Sequence, residues 1–199
     1  MKEIIIYTDF VCPYCLLLER RLHKIFSNEE VKVTWRAHEL RPFPVPTLKI
    51  DDEYLPLVWS NSVYHLAEQI GIDIRLPRIS PQPRTDKAFE AHLFATDNGV
   101  GEIFPIAVMV AFFQQERNIG DIDVLVDIGG EVGLDREALR RALEQGAYGQ
   151  KHQQALQHAK EVEQIRVVPT IIIGDNRYEG LPSEHWLTQS FENQLVDAS

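Results

Sequence analysis

The chain has 199 residues, and its 44% hydrophobic and 25% charged content lies within the ordinary globular range, which excludes a disordered or collagen-like chain. Thirty acidic and twenty basic residues give a formal net charge of −10. Such a chain repels phosphate backbones and anionic lipid surfaces at long range, so nucleic acid is not expected as a partner.

Neither apolar segment of the sequence predicts a membrane span or a secretory signal. The longest apolar run, 103–113, is interrupted by Pro105, and a spanning helix needs roughly 20 residues. The first ten residues contain only a three-residue apolar run, whereas a signal needs roughly seven or more. We therefore expect a cytoplasmic protein with no membrane association.

The predicted elements fall into three groups along the chain. Residues 3–8 and 31–37 read as strands that flank a helix beginning at Pro13, which makes a β-α-β unit. Residues 170–173 and 177–179 read as a hairpin around Gly174, followed by a final helix that opens at Pro182. Between the two units, proline-rich loops are predicted at 41–57 and 77–83. Helices are predicted at about 59–71, 85–98, 101–117, 121–132, 135–145 and 149–165, with Asp121 and Asp135 as N-caps.

This order predicts an α/β fold with a central mixed sheet and an all-helical insertion domain. The α/β domain would be discontinuous, with residues 1–55 and 164–199, and the insertion would comprise residues 56–163.

The two cysteines, Cys12 and Cys15, are the only ones in the chain. Pro13 between them suits the first position of a helix, which places Cys12 beside the free N–H groups of the first turn. These groups and the helix dipole favour a thiolate at Cys12, which we expect to be exposed, while Cys15 lies one turn later on the shielded face. Thiol or redox chemistry is the favoured interpretation. Half of a zinc site and two unreactive buried cysteines remain as alternatives, although no second cysteine pair or paired-histidine motif supports a metal.

The whole pattern resembles the thioredoxin fold in its DsbA-like form. Asp9 to Cys15 (Asp-Phe-Val-Cys-Pro-Tyr-Cys) looks like the FrnE-like branch, as do Trp35-Arg36, Glu39-Leu40, and 119–121 with 133–135. That branch also includes 2-hydroxychromene-2-carboxylate isomerases and kappa-class glutathione transferases. The resemblance implies a thiol–disulfide oxidoreductase with Cys12 as nucleophile and Cys15 as resolving cysteine, and with Pro13 and Tyr14 tuning the redox potential.

The resemblance also implies a substrate-binding loop at Val168, Pro169 and Thr170, with Pro169 as a cis-proline facing the disulfide. No cofactor or metal is expected beyond the redox-active cysteine pair. The expected partners are protein or small-molecule thiols and disulfides, with glutathione as a candidate co-substrate, and the oligomeric state is left open.

Two other functions remain at this stage. A glutathione-dependent isomerase or transferase would be related to the same branch, but those members typically carry serine where Cys12 stands. A non-catalytic redox-sensing or chaperone-like module would bind clients without needing its thiols. The acid that thioredoxins bury in the first strand is replaced here by Ile6, and Asp9 is interpreted as a loop or cap residue rather than a proton relay.

Overall fold

The computed structural model describes residues 2–27 and 29–193. Within them, four strands form one sheet: β1 (Lys2–Thr8), β2 (Val31–Ala37), β3 (Thr170–Ile173) and β4 (Asn176–Glu179), in the order β2-β1-β3-β4. β1 pairs in parallel with β2 and antiparallel with β3, and β3 and β4 form an antiparallel hairpin. The predicted α/β class with a central mixed sheet is confirmed.

β1 is an inner strand of the sheet, between β2 and β3. Ile4 and Ile6 are fully buried and Tyr7 nearly so, because β1 is paired on both edges and covered on its faces. Its β-branched residues suit such a buried, pleated position. Only four residues separate the end of β1 at Thr8 from the start of the first helix at Pro13.

The helix α1 (Pro13–Phe26) carries one buried apolar stripe. Cys15, Leu18, Leu22 and Phe26 on this stripe are buried. Their spacing of three or four residues puts them on one side of the helix, which is what buries that side. The last helix, α9 (Glu184–Asn193), contacts α1, and the rings of Phe26 and Phe191 lie 4.2 Å apart. The predicted final helix is confirmed over these residues, while 194–199, which the predicted α/β domain includes, lie outside the described part.

Between β2 and β3 the regular structure is helical throughout the described residues. The segments are α2 (Tyr54–Val58), a π-helical turn (Trp59–Val63), α3 (Tyr64–Ile70), α4 (Asp86–Asp97), α5 (Ile103–Gln115), α6 (Ile122–Glu131), α7 (Arg136–Glu144) and α8 (Gly149–Glu161). Asp121 and Asp135 accept hydrogen bonds from Asp123 N and Ala138 N at the starts of α6 and α7. Both predicted N-caps are therefore confirmed.

Two predicted boundaries in this helical region are wrong. The loop predicted to extend to residue 57 is already helical from Tyr54, since Pro56 occupies the first turn, where a missing N–H costs no hydrogen bond. The helix predicted to continue to residue 165 ends at Glu161, and Gln164 just beyond it has a positive φ of 54°. A positive φ interrupts the helical backbone.

Candidate active site

Cys12 is the N-cap of α1, with φ of −91° and ψ of 112°, and Pro13 follows in the first turn. The backbone N–H of Cys12 donates to the Asp9 carbonyl at 3.0 Å, which closes a tight turn between β1 and α1. The Cys15 N–H donates to the Cys12 carbonyl at 3.1 Å. The predicted placement of the pair at a strand-to-helix junction is confirmed.

The expected exposure of Cys12 is wrong: its side chain is only 4% exposed, and Cys15 is fully buried. The cover comes from a distant part of the chain, because the Cys12 thiol lies 3.5 Å from the Val168 carbonyl oxygen and donates to it. Both cysteines are free thiols in this structure. The loop at Val168 therefore covers the Cys12 sulfur.

The environment of Cys15 keeps it as the neutral thiol. Burial raises the pKa of Cys15 well above 9, and the neighbouring Cys12 thiol raises it further. The nearby Thr8 hydroxyl and Asp9 N–H lower the pKa of Cys15 and so act in the opposite direction. At neutral pH, Cys15 therefore carries its proton and is a poor nucleophile, since the thiolate is the reactive form.

The loop before β3 brings Val168 and Pro169 to the cysteine pair, and the Val168–Pro169 peptide bond is cis. Two hydrogen bonds fix this loop: the Thr170 hydroxyl donates to the Val167 carbonyl at 2.6 Å, and the Gly180 N–H donates to the Pro169 carbonyl at 2.7 Å. Thr170 itself is fully buried. Among residues 2–27 and 29–193, the Val168 N–H has no hydrogen-bond partner.

Tyr14 joins the cysteine motif to the helical region. Its hydroxyl donates to the Ser62 hydroxyl oxygen at 2.9 Å, in the π-helical turn. Tyr14 and Pro13 are both half-buried. The Tyr14 hydroxyl therefore donates to the helical region and not to a cysteine sulfur.

Asp9 is a buried carboxyl group beside the cysteine turn, only 1% exposed. Its Oδ2 accepts the Leu40 N–H at 2.7 Å, so Asp9 ties the β1 end to the segment after β2. Burial raises the pKa of Asp9 to about 6, and the Glu39 charge adds to the rise, while hydrogen bonds from Leu40, Thr85 and Val11 oppose it. Ile6, where thioredoxins carry their buried acid, is completely enclosed.

With this geometry in view, comparison with known proteins decides the family. A family model for the DsbA-like thioredoxin domain matches residues 3–192. The chain belongs to the DsbA-like thioredoxin family. The uncharacterised protein YwbO of Bacillus subtilis (strain 168) is 40% identical over 179 residues, covering 89% of this chain and 90% of YwbO.

Solved structures share this DsbA-like fold at low identity. A probable DsbA oxidoreductase from Streptomyces coelicolor has a TM-score of 0.78 at 20% identity, covering 97% of this chain and 89% of its own. A 2-hydroxychromene-2-carboxylate isomerase has a TM-score of 0.78 at 17% identity, covering 99% of both chains. The cytosolic disulfide reductase DsbM from Pseudomonas aeruginosa, with GSH, has a TM-score of 0.72 at 16% identity, covering 98% and 99%. These neighbours are consistent with the predicted FrnE-like branch.

The described residues bear on two further kinds of functional feature, a membrane span and a metal site. No helix in the described ranges is long and apolar enough to cross a membrane. The same residues contain no group of three or more His, Cys, Asp or Glu side chains placed to hold a metal ion.

Several residues around the site escape prediction from the sequence. Thr8, Ser62 and His152 carry no motif, and Glu39 attracts attention only through the family resemblance. His152 lies 113 positions from Glu39 yet contacts it through a buried hydrogen bond. A pairing over that distance leaves no local periodicity, so only the folded structure shows it.

Proposed function

We propose that this DsbA-like protein is a thiol–disulfide oxidoreductase that acts on protein or small-molecule disulfides through Cys12 and Cys15. The observation that carries the proposal is the asymmetry of the two thiols. Cys12 is the N-cap of α1 and faces the Val168 carbonyl, whereas Cys15 is enclosed and held neutral. This asymmetry suits one attacking and one resolving sulfur.

The reaction then has two balanced steps. The Cys12 thiolate attacks one sulfur of a substrate disulfide, forms a mixed disulfide and releases the other substrate sulfur as a thiolate. Cys15 next loses its proton and attacks the Cys12 sulfur, which releases the second substrate sulfur and leaves a Cys12–Cys15 disulfide. Two electrons pass from the cysteine pair to the substrate, and the same steps in reverse oxidise a substrate dithiol.

The free Val168 N–H supports an extended substrate chain beside Pro169, because an unpaired backbone donor next to the nucleophile can hydrogen-bond to substrate main chain. Thr170 supports this loop through its hydrogen bond to Val167 instead of contacting substrate itself. Apolar side chains are exposed in segment 40–64, which contacts Tyr14 through Ser62, and beside Val168: Leu40, Phe43, Val45, Tyr54, Leu57, Tyr64 and Val167. They favour a polypeptide substrate over a small polar one.

Cavity size also favours a surface-bound substrate. A cavity beside the cysteine motif has a volume of about 50 Å³. It is lined by Val11, Asp9, Leu40 and Leu55 among others. Pockets that enclose small-molecule ligands typically have roughly 300–1,000 Å³. A tripeptide such as glutathione would therefore bind across the surface at Val168 and not inside this cavity.

The proposal includes a cytoplasmic setting and no cofactor beyond the cysteine pair. The DsbM structure that shares this fold is described as a cytosolic disulfide reductase and was solved with GSH. Glutathione is accordingly the proposed co-substrate, with two molecules reducing one Cys12–Cys15 disulfide and forming glutathione disulfide.

The test is the reduction potential of the Cys12–Cys15 pair, obtained by equilibrating the protein in glutathione buffers and counting thiols by alkylation and mass shift. We expect a reversible disulfide with a potential of about −200 to −270 mV, suited to a reductase or isomerase, whereas about −120 mV would indicate a disulfide donor. Failure to form a reversible intramolecular disulfide would overturn the proposal.

Matched cysteine variants separate the proposed oxidoreductase from its alternatives. Cys15→Ala should trap mixed disulfides at Cys12, and Cys12→Ala should trap none. A glutathione-dependent isomerase or transferase would instead keep its activity in both Cys12→Ser and Cys15→Ala, since those members typically carry serine where Cys12 stands. A chaperone-like binding module would retain client binding after both thiols are removed.

A further inference from the structure

A buried pair of charged side chains joins the α/β part of the molecule to the inserted helices. Glu39 Oε1 lies 2.6 Å from His152 Nε2, and their side chains are 4% and 1% exposed. Glu39 follows β2 by two residues, and His152 lies in the first turn of α8. Burial of such a pair adds little net stability because desolvation offsets the attraction. The pair therefore calls for an explanation other than stability.

The first connection from this pair to the cysteine turn is through the backbone around Glu39. The Leu40 N–H donates to Asp9 Oδ2 at 2.7 Å, and the His38 N–H donates to the Thr8 carbonyl at 3.0 Å. Asp9 in turn accepts the Cys12 N–H through its carbonyl. Residues 38–40 thus hold the backbone from Thr8 to Cys12 in place.

The second connection is made by aromatic rings. The His152 ring stacks on Phe89, with centroids 5.4 Å apart and planes 16° from parallel. Phe89 in turn packs against Phe10 with centroids 4.4 Å apart. Phe10 lies in the Asp9–Cys12 turn. His152 is therefore linked to Phe10 through Phe89, and to Asp9 through the backbone around Glu39.

Charged and polar groups around Asp9 also affect the ionisation of its carboxyl group. Glu39 is a second buried carboxyl group, and its negative charge opposes ionisation of Asp9. From α1, the Cys15 thiol lies near the Asp9 backbone. From the loops, Arg41 and Arg84 line the cavity shared with Asp9, but the Arg84 guanidinium donates to the carbonyls of Arg41 and Val45. His152 is the basic side chain that contacts Glu39 directly.

The contact between His152 and Glu39 does not depend on the charge of the imidazole ring. A neutral ring with its proton on Nε2 and a doubly protonated ring both donate to Glu39. Nδ1 has no hydrogen-bond partner in the described part of the chain. His152 also lines a cleft of about 450 Å³ at the edge of β2, together with Arg36, His92 and His158.

We propose that Glu39 and His152 are positioning residues for the cysteine pair: they fix the Asp9–Cys12 turn and hold the Asp9 carboxyl group in place beside it. This inference rests on the proposed thiol–disulfide exchange, in which Cys15 must release its proton to resolve the mixed disulfide.

The test compares Glu39→Gln and His152→Gln with His158→Gln, a matched control on α8 that lines the same cleft but is half-exposed. The rate at which each reduced protein cleaves an aromatic disulfide is measured from pH 5 to pH 9, together with the reduction potential. We expect the wild-type profile to have an inflection set by Asp9. Glu39→Gln should move it to lower pH by about half a unit or more, a roughly threefold change in proton affinity, because a negative charge beside Asp9 is removed.

His152→Gln should also move the inflection, since it removes the buried imidazole that contacts Glu39, and His158→Gln should not. If both pair variants fold with unchanged profiles and potentials, the pair is only structural and the inference is overturned. If the wild-type protein itself forms no reversible Cys12–Cys15 disulfide, the proposed function fails instead. The two failures are thus distinguishable.

A measurement on the wild-type protein covers the case in which the variants do not fold. Coupling between two sites is reciprocal, so the redox state of the cysteine pair must alter the surroundings of the His152 ring. Carbon-13 labelling of histidine followed by NMR at one fixed pH should give different ring chemical shifts for His152 in the reduced and oxidised proteins. Identical ring shifts would contradict the inference.

Discussion

Asp9 and His92 are two buried groups whose protonation affects stability in opposite directions. Burial raises the pKa of Asp9 from 3.8 to about 6 and lowers the pKa of His92 from 6.5 to about 4. In both cases the folded protein prefers the neutral form, because a charge in an enclosed site loses its hydration. In the wild-type protein the two effects partly cancel between pH 4 and pH 6.5, so single substitutions are needed to separate them.

For Asp9 the folded protein binds the extra proton, so this group's contribution to stability is complete below pH 3.8 and is lost as pH rises to about 6. The change corresponds to roughly 3 kcal/mol. Asp9→Asn keeps an oxygen for the Leu40 N–H but cannot ionise. In urea titrations, its unfolding free energy relative to wild type should rise by up to about 3 kcal/mol from pH 4 to pH 7. A difference that stays constant with pH would show that Asp9 ionises normally.

For His92 the sign is reversed, because the unfolded chain binds the extra proton. Its contribution is complete above pH 6.5 and is lost as pH falls towards 4. His92→Gln can still donate to the Gly101 carbonyl, which His92 Nε2 contacts at 3.0 Å. Relative to wild type, this variant should gain up to roughly 3 kcal/mol from pH 7 to pH 4. The exposed variant His65→Gln, measured alongside, should show no comparable slope.

At the level of single elements, the capping aspartates give a local prediction. Asp135 Oδ1 accepts the Ala138 N–H at 2.9 Å and begins α7, which buries Leu139 and Leu143. Asp135→Ala should lower the unfolding free energy by about 1 kcal/mol, the usual cost of losing an N-cap. Asp135→Asn should retain most of it, because asparagine caps helices nearly as well. Equal losses in the two variants would assign the effect to charge instead of capping.

These caps also show which elements could be predicted from sequence. Asp121 and Asp135 act on backbone groups within three residues, so their patterns are complete in the local sequence. The strand 31–37 is equally local, and its predicted bounds agree with β2. The π-helical turn at Trp59–Val63 has no such signal. It lies between α2 and α3, and its Ser62 accepts a hydrogen bond from Tyr14, which is distant in sequence.

The candidate site divides in the same way. The Cys12–Cys15 spacing, Pro13 and the helix start are readable because they lie within four residues. The burial of Cys12 is not readable, since the Val168 carbonyl that covers it comes from 156 residues away. The same applies to the Glu39–His152 contact. Local pattern thus identifies the candidate sulfurs, and the fold determines which distant groups cover them.

At the level of the whole molecule, the sheet and the inserted helices share one hydrophobic core. Buried residues from β1, α1, α4 and α5 belong to a single cluster. Phe10 of the cysteine turn packs on Phe89 of α4, and α8 contacts β2. A boundary between two independent units would show few such contacts. Opening of the helical region would therefore expose the cysteine turn as well.

This shared core predicts that the two parts unfold in one cooperative step. Trp35 in β2 and Trp59 in the helical region are 6% and 2% exposed, so the fluorescence of each reports local unfolding. In a variant that retains only Trp35, with the other tryptophans changed to phenylalanine, the urea midpoint from fluorescence should coincide with that from far-UV circular dichroism, which reports chiefly the helices. A variant that retains only Trp59 should show the same coincidence. Comparison within each variant removes any stability cost of the substitutions, and separate midpoints in either variant would establish independent units, since coincident transitions are the mark of two-state unfolding.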